Sequence, residues 1–231
     1  MTDFFRFPHT PHLAWLGQGA PRDDKVFSAI EARGFLASPV VAEEKLDGAN
    51  LGFSVSPDGL LRAQNRGQYL HAPHAGQFSR LGEWLAPRED RLFDALGEHL
   101  IAFGEWCAAQ HSYDYATLPD WWLLFDVYDR RNGRFWSTRR RNAWAESLGL
   151  EAVPRLFQGK TDLPALRQRV ETQPSTFRPG PLEGLVLRVE DDEWLLDRAK
   201  LVRADFVQQI DTHWRSRALV WNRVQKPTTG A

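Results

Sequence analysis

Two pairs of apolar runs in this chain are joined by turns of two or three residues, and helical stretches fall between the pairs. Residues 50–56 and 60–64 flank Pro57-Asp58-Gly59, a strong turn signal, and residues 184–190 and 193–199 flank Asp191-Asp192. Hairpins of this kind predict an α+β fold with antiparallel sheets rather than a doubly wound α/β fold. Further strands are expected at 40–45, 99–106 and 121–128. Helices are expected over 23–33, with Asp23 as cap and Gly34 as stop, and within 76–97. Another opens at Ser137 and closes at Gly149, one starts at Thr161, and a last one starts near Ala204. The organisation expected is a lead-in and helix over 1–34, one domain over 35–206 and a short helical tail over 207–231 that includes His213-Trp214.

With 231 residues, 42% of them apolar and 26% charged, the chain can bury a full core without metal or disulfide. Its single cysteine, Cys107, excludes an intrachain disulfide and suits a reducing compartment. The opening residues lack a signal-peptide pattern, and no apolar run reaches the ~20 residues of a membrane span. A cytoplasmic protein without membrane attachment is therefore expected. A net charge of −1 does not advertise a polyanion partner, but 24 of the 29 basic residues are arginine and there are ten tryptophans. Arginine forks and indole faces suit phosphate and base recognition; the competing reading places the tryptophans in the core. Six arginines within 130–141 (Arg130, Arg131, Arg134, Arg139, Arg140, Arg141) fit either a polynucleotide grip or a solvated face.

The informative stretch is Glu43-Glu44-Lys45-Leu46-Asp47-Gly48-Ala49-Asn50, where a lysine ends a strand and the chain then turns. Lys-x-Asp-Gly alone would arise by accident in roughly one such chain in fifty. Five further segments follow it: Asn65-Arg66-Gly67, Phe103-Gly104-Glu105-Trp106, Phe125-Asp126-Val127-Tyr128-Asp129, Glu183-Gly184-Leu185-Val186 and Arg198-Ala199-Lys200-Leu201-Val202-Arg203. In this order the six segments, spanning about 40–206, resemble the motifs of the covalent nucleotidyltransferase superfamily of ATP-dependent RNA ligases, DNA ligases and mRNA capping enzymes. The closest resemblance is to the stand-alone RNA ligase branch.

That resemblance implies a nucleotidyltransferase (adenylyltransferase) domain with antiparallel sheets and flanking helices. It implies ATP and Mg2+ or Mn2+ as cofactors. The implied chemistry is attack of Lys45 on the α-phosphorus of ATP, transfer of AMP to a 5′-phosphate, and displacement by a 3′-hydroxyl. A lysine near its usual pKa cannot attack at pH 7, so a depressed value is expected, with Lys200 and the metal as the cations responsible. Glu183 is the implied metal ligand, and with Lys45 and Lys200 it forms the implied catalytic set. Glu44, Asp47, Asn50, Arg66, Glu105, Phe125 and Arg198 are the implied nucleotide contacts. Relatives often carry lysine where Arg198 stands. On the residues alone, Asp47 could equally cap its own turn, Phe125 could be core, and Glu183 could be a salt-bridged strand carboxylate. His111-Ser112-Tyr113 reads as a substrate-contacting loop and Cys107 as packed.

Only about thirty residues follow the fifth motif, too few for an OB-fold, so none is expected and a capping enzyme or conventional DNA ligase fits less well. The expected function is an ATP-dependent RNA ligase in RNA repair, a monomer acting on RNA or RNA–DNA hybrid ends, with end-healing enzymes as candidate partners. The alternatives are a DNA nick ligase and a non-catalytic end-binding protein.

Overall fold

The computed structural model describes residues 4–18, 25–209 and 218–225. Ten strands form two sheets. The larger holds β2 (Ala49–Val55), β3 (Leu61–Gln64), β4 (Tyr69–Leu70), β5 (Leu100–Trp106), β6 (Trp122–Asp129) and β7 (Arg134–Phe135), in the order β4-β3-β2-β5-β6-β7. The smaller holds β1 (Val40–Lys45), β8 (Arg155–Gly159), β9 (Gly184–Glu190) and β10 (Leu195–Val202), in the order β10-β9-β1-β8. Every pairing between these strands is antiparallel, as the hairpin pattern requires. In the first hairpin the Ser56 N–H donates to the Leu60 carbonyl, and Gly59 takes φ 71°, a left-handed conformation that glycine adopts without a Cβ clash.

Each sheet packs one face on an apolar core. Leu51, Phe53, Trp84, Trp106 and Trp122 fill one core, on which α2 (Leu81–Leu85) and α3 (Glu89–Leu96) pack. Val40, Ala42, Leu185, Leu187, Ala199 and Leu201 fill the other, covered by α1 (Ala29–Leu36) and α5 (Leu163–Thr172). Trp84, Trp106, Trp122 and Trp136 are buried, so the core reading holds for these four tryptophans. The chain crosses from the small sheet to the large one over Leu46-Asp47-Gly48, which sets the end of β1 at the cleft between them. Gly48 is needed there because a Cβ would lie 2.5 Å from the Trp106 carbonyl oxygen.

Several expectations are corrected. The first helix is α1, capped by a Ser28–Glu31 capping box, and Gly34 lies inside it; Asp23 falls outside the described residues. The second late helix is capped by Asp162, not Thr161. The expected lead-in is not separate from the domain: the Lys200 N–H donates to the Pro11 carbonyl and Leu13 N–H to the Lys200 carbonyl, so residues 11–13 run along β10. Residues 204–209 form helix α6 (Ala204–Gln209), but 218–225 are extended rather than helical. They strap the loop after β5, where Asn222 donates to the Cys107 carbonyl and accepts from the Tyr115 N–H. His213-Trp214 lies outside the described residues. Cys107 is buried, as expected. Among the described residues no helix is long and apolar enough to cross a membrane.

Candidate active site

Strand register builds the floor of the cleft. Glu43 on β1 pairs with Val186 on β9, which pairs with Lys200 on β10; Val41, Arg188 and Arg198 form the next row, and Lys45, Gly184 and Val202 the one before. Side chains two apart share a face, so Glu43 and Lys45, Val186 and Arg188, and Arg198 and Lys200 all line one cavity of about 370 Å3. The large sheet supplies Asn50 and Glu105, cross-strand partners on β2 and β5. Arg66 enters from the turn after β3, where the Asn65 side chain accepts from the Gly67 and Gln68 N–H groups and shapes the loop. Glu44 and Phe125 line it as well, whereas Glu183, expected in the same set, stands behind Lys45 rather than in the lining.

Phe125 owes its position to a bulge. Phe103 pairs with Asp126 and Gly104 with Leu124, so Phe125 is the extra residue in β6, and a bulge re-aims a side chain. Its carbonyl, unused in that ladder, accepts from Arg141 and Arg188. Phe7 from the N-terminal segment meets its ring edge-on at 5.2 Å. If Phe125 stacks on the base, as the resemblance implies, Phe125→Ala should raise the KM for ATP by roughly 5- to 150-fold, the range for losing one base–aromatic stack, with Phe125→Trp tolerated. Steady-state labelling over a range of ATP concentrations measures this; an unchanged KM with a lowered Tm would return Phe125 to the core.

At the centre, Lys45 Nζ donates to Glu183 Oε1. The Lys45 side chain is 30% exposed and that of Glu183 1%. Gly184 lets strands approach closely here, since a Cβ would lie 2.5 Å from the Leu201 carbonyl oxygen. Burial alone would lower the Lys45 pKa, but Glu183, Glu105 and Asp47 outweigh it and hold the ammonium well above its ordinary value. Among the side chains around Lys45, carboxylates rather than Lys200 dominate the field. Burial pushes Glu183 up, opposed by Lys45, and lifts Glu105 to about 7. Glu105 Oε1 accepts from the Gly48 N–H at 3.0 Å.

Three expected nucleotide contacts are engaged elsewhere. Asp47 does not line the cavity; its Oδ2 accepts from the Ser112 and Tyr113 N–H groups at 2.6 and 3.2 Å, so it ties down the loop after β5 instead of its own turn. His111 in that loop bonds Gln77 at 2.7 Å. Glu44 points its carboxylate at the Ser175 hydroxyl and the Thr176 N–H. Arg198 lines the wall, but its guanidinium pairs with Asp126 and lies over the Phe7 and Phe135 rings at 4.5 and 5.1 Å. Its charge is thus paired within the wall it lines.

One member of the arginine cluster belongs to the same ionic layer. Arg141 is fully buried, forks onto the Glu43 carboxylate and donates to the Phe125 carbonyl. Arg139 and Arg140 pair with Glu193, and Arg134 with Asp191. Arg188 donates to Asp126 and Glu190. Sequence reasoning missed Glu43, Asp126 and Arg188 as members of the site, and Phe7 and Thr10 as cavity-lining residues. The one signal available was a charged side chain, Arg188, on the inward alternation of an apolar strand.

Among the described residues no group of three or more His, Cys, Asp and Glu side chains could hold a metal alone. Magnesium-type sites use one or two carboxylates plus waters and substrate phosphates, and Glu183 fits: its Oε2 is buried without a hydrogen-bond partner. The Oδ1 of Asn50 is likewise buried and unpartnered beside the cavity. Basic Lys45, Lys200 and Arg66 around the same space suit an anionic nucleotide.

A family model described as RNA ligase matches residues 38–202, well over half of the chain. The chain belongs to the RNA ligase family. Among solved structures, this family member resembles the Naegleria gruberi RNA ligase with PPi at TM-score 0.57 and 18% identity, over 75% of this chain and 52% of that one. A variant of that ligase with ATP and Mn matches at TM-score 0.58 and 15% identity, over 90% and 64%. An archaeal ATP-dependent RNA ligase matches at TM-score 0.59 and 16% identity, over 86% and 48%. At these identities the likeness is one of fold, and the chain spans about half the length of the first of these ligases. Compared with curated proteins, it finds no match.

Proposed function

We propose that the chain is an ATP-dependent RNA ligase joining 3′-hydroxyl and 5′-phosphate ends through lysyl-AMP and an adenylylated strand, with RNA repair as its role. The observation that carries this reading is Lys45, lining the cavity with Arg66 and Lys200 and donating to Glu183, whose second oxygen is buried and unpartnered. In the first step the Lys45 ammonium loses one proton to solvent at the open edge of the cleft, where it is partly exposed, which frees its lone pair. Nζ then bonds the α-phosphorus as the bond to pyrophosphate breaks, and a second proton leaves by the same edge. Glu183 would hold a divalent cation, which neutralises charge on the phosphoryl oxygens. Lys200 and Arg66 face the phosphates, Glu105 the ribose and Phe125 the base.

Incubation with α-labelled ATP and a divalent cation, followed by denaturing electrophoresis, tests the reading: covalent label on the chain supports it. Strand-end binding with no label would favour an end-binding protein instead.

Discrimination of RNA from DNA rests on the 2′-hydroxyl. We therefore expect sealing to require ribonucleotides at the 3′-hydroxyl side, while the 5′-phosphate strand is RNA or DNA. Matched substrates differing only in the sugars of the 3′-terminal nucleotides measure this, and equal sealing of all-DNA strands would favour a DNA nick ligase.

A further inference from the structure

Three segments beside the Lys45–Glu183 pair bring an arginine and two aromatic rings together. The loop after β5 carries Tyr113, whose N–H is bonded to Asp47 in the turn that follows the lysine. Helix α6 carries Phe206 and starts just after Arg203, whose N–H donates to the Glu183 carbonyl at 3.0 Å. The loop before β9 carries Arg178. The Phe206 ring lies 5.2 Å from that of Tyr113, at 31° between planes. The Arg178 guanidinium carbon sits 3.6 Å from the Tyr113 ring centroid. Its fork is held by its own loop, donating to the Pro179 carbonyl at 2.8 Å and to the Pro181 carbonyl.

The charges on this face are not balanced alike. Arg203 pairs with Asp205 and Arg223 with Asp114. Among the described residues no carboxylate pairs with Arg178, although it is half-buried. A planar cation pre-oriented on a ring, without an acid partner, presents a surface on which a nucleobase stacks, with positive charge for the adjoining phosphate. Loop closure alone would need the carbonyl contacts but not the ring.

We propose that Arg178, seated on Tyr113, is a stacking subsite for the nucleobase next to the RNA end being joined. This rests on the RNA ligase reading and specifies how that site holds its polymer. The position explains the choice of residues: Tyr113 is bonded to the turn after the nucleophile and α6 follows the bond to Glu183, so a base stacked here is coupled to the reacting groups through two short connections.

The test compares the parent with Arg178→Ala, Arg178→Lys and Tyr113→Phe in three measurements: labelling by α-labelled ATP, anisotropy with a short 5′-phosphorylated RNA oligonucleotide, and strand joining. Arg178→Ala should weaken RNA binding and joining by roughly 5- to 150-fold, the range for one lost stack, with the loss confined to the strand steps. Arg178→Lys keeps the charge without the plane and should remain impaired; Tyr113→Phe keeps the ring and should bind as the parent does. If Arg178→Ala fails to fold, Arg178→Lys, which still donates to a loop carbonyl, carries the test. Parent-like RNA affinity in Arg178→Ala, parent-like behaviour of Arg178→Lys, or an equal loss of ATP labelling would each overturn the subsite. Absence of label on the parent would instead defeat the ligase reading, and the anisotropy arm would still decide the subsite.

Discussion

Lys45→Ala and Lys45→Arg should both leave no AMP on the chain after incubation with labelled ATP, because alanine has no nucleophile and a guanidinium stays protonated. Retained label on either variant would remove Lys45 from the role. The alanine variant should also be less stable, for a reason separate from catalysis. It strands Glu183, 1% exposed, without its counter-ion. Breaking a buried pair costs about 3–5 kcal/mol, which we reduce to about 1–3 because Lys45 reaches solvent. That is a Tm loss of about 2–12 °C for a chain this size. The pH dependence has a definite sign. The folded-state pKa of Glu183 lies above its ordinary 4.5, so its burial costs nothing in acid. The cost appears as pH rises above the ordinary value, where the unfolded carboxyl ionises and the buried one resists. Lys45→Ala should therefore lose more Tm at pH 8 than at pH 5, and adding Glu183→Gln should restore Tm without restoring label.

Arg141→Ala should be the most destabilising of the six substitutions in the 130–141 arginine cluster. Its guanidinium is fully buried between the Glu43 carboxylate and the Phe125 carbonyl, and removal leaves Glu43 only a 3.9 Å contact with Arg188. A buried ion pair broken from one side costs about 3–5 kcal/mol, or about 6–20 °C in Tm. Arg139→Ala, exposed and paired with Glu193, should cost well under about 1 kcal/mol. Calorimetry of the two variants decides between a structural layer and a polyanion patch. Arg141→Ala with a parent-like Tm and weakened RNA binding would reinstate the patch.

Local signals in the chain were legible. Strand β1 has the bounds expected from its run of residues, and the Pro57-Asp58-Gly59 turn and the Ser137 cap lie where turn and capping chemistry place them. Each depends on neighbours a few residues away. Strand β8 was missed because Arg155 and Gln158 are exposed on a sheet edge, so no apolar alternation marks it. The capping box at Ser28 displaced the start expected at Asp23, and Gly34 lies inside the helix, where a Cβ would meet nothing within 4 Å, rather than ending it.

By itself the sequence determined the antiparallel hairpins, the lysine at a strand end and the six segments that mark the family, since all of these are written in short windows. Only the tertiary structure decided which charged groups are free to meet a ligand. Glu43 and Arg141 are 98 residues apart, and Asp47 and Ser112 are 65. Whether such groups pair depends on the register of two sheets and on the loops that cross between them. The physical reason is burial: a charge enclosed between sheets must take whichever partner the packing supplies, and that choice gives Asp47, Glu44 and Arg198 partners from distant parts of the chain.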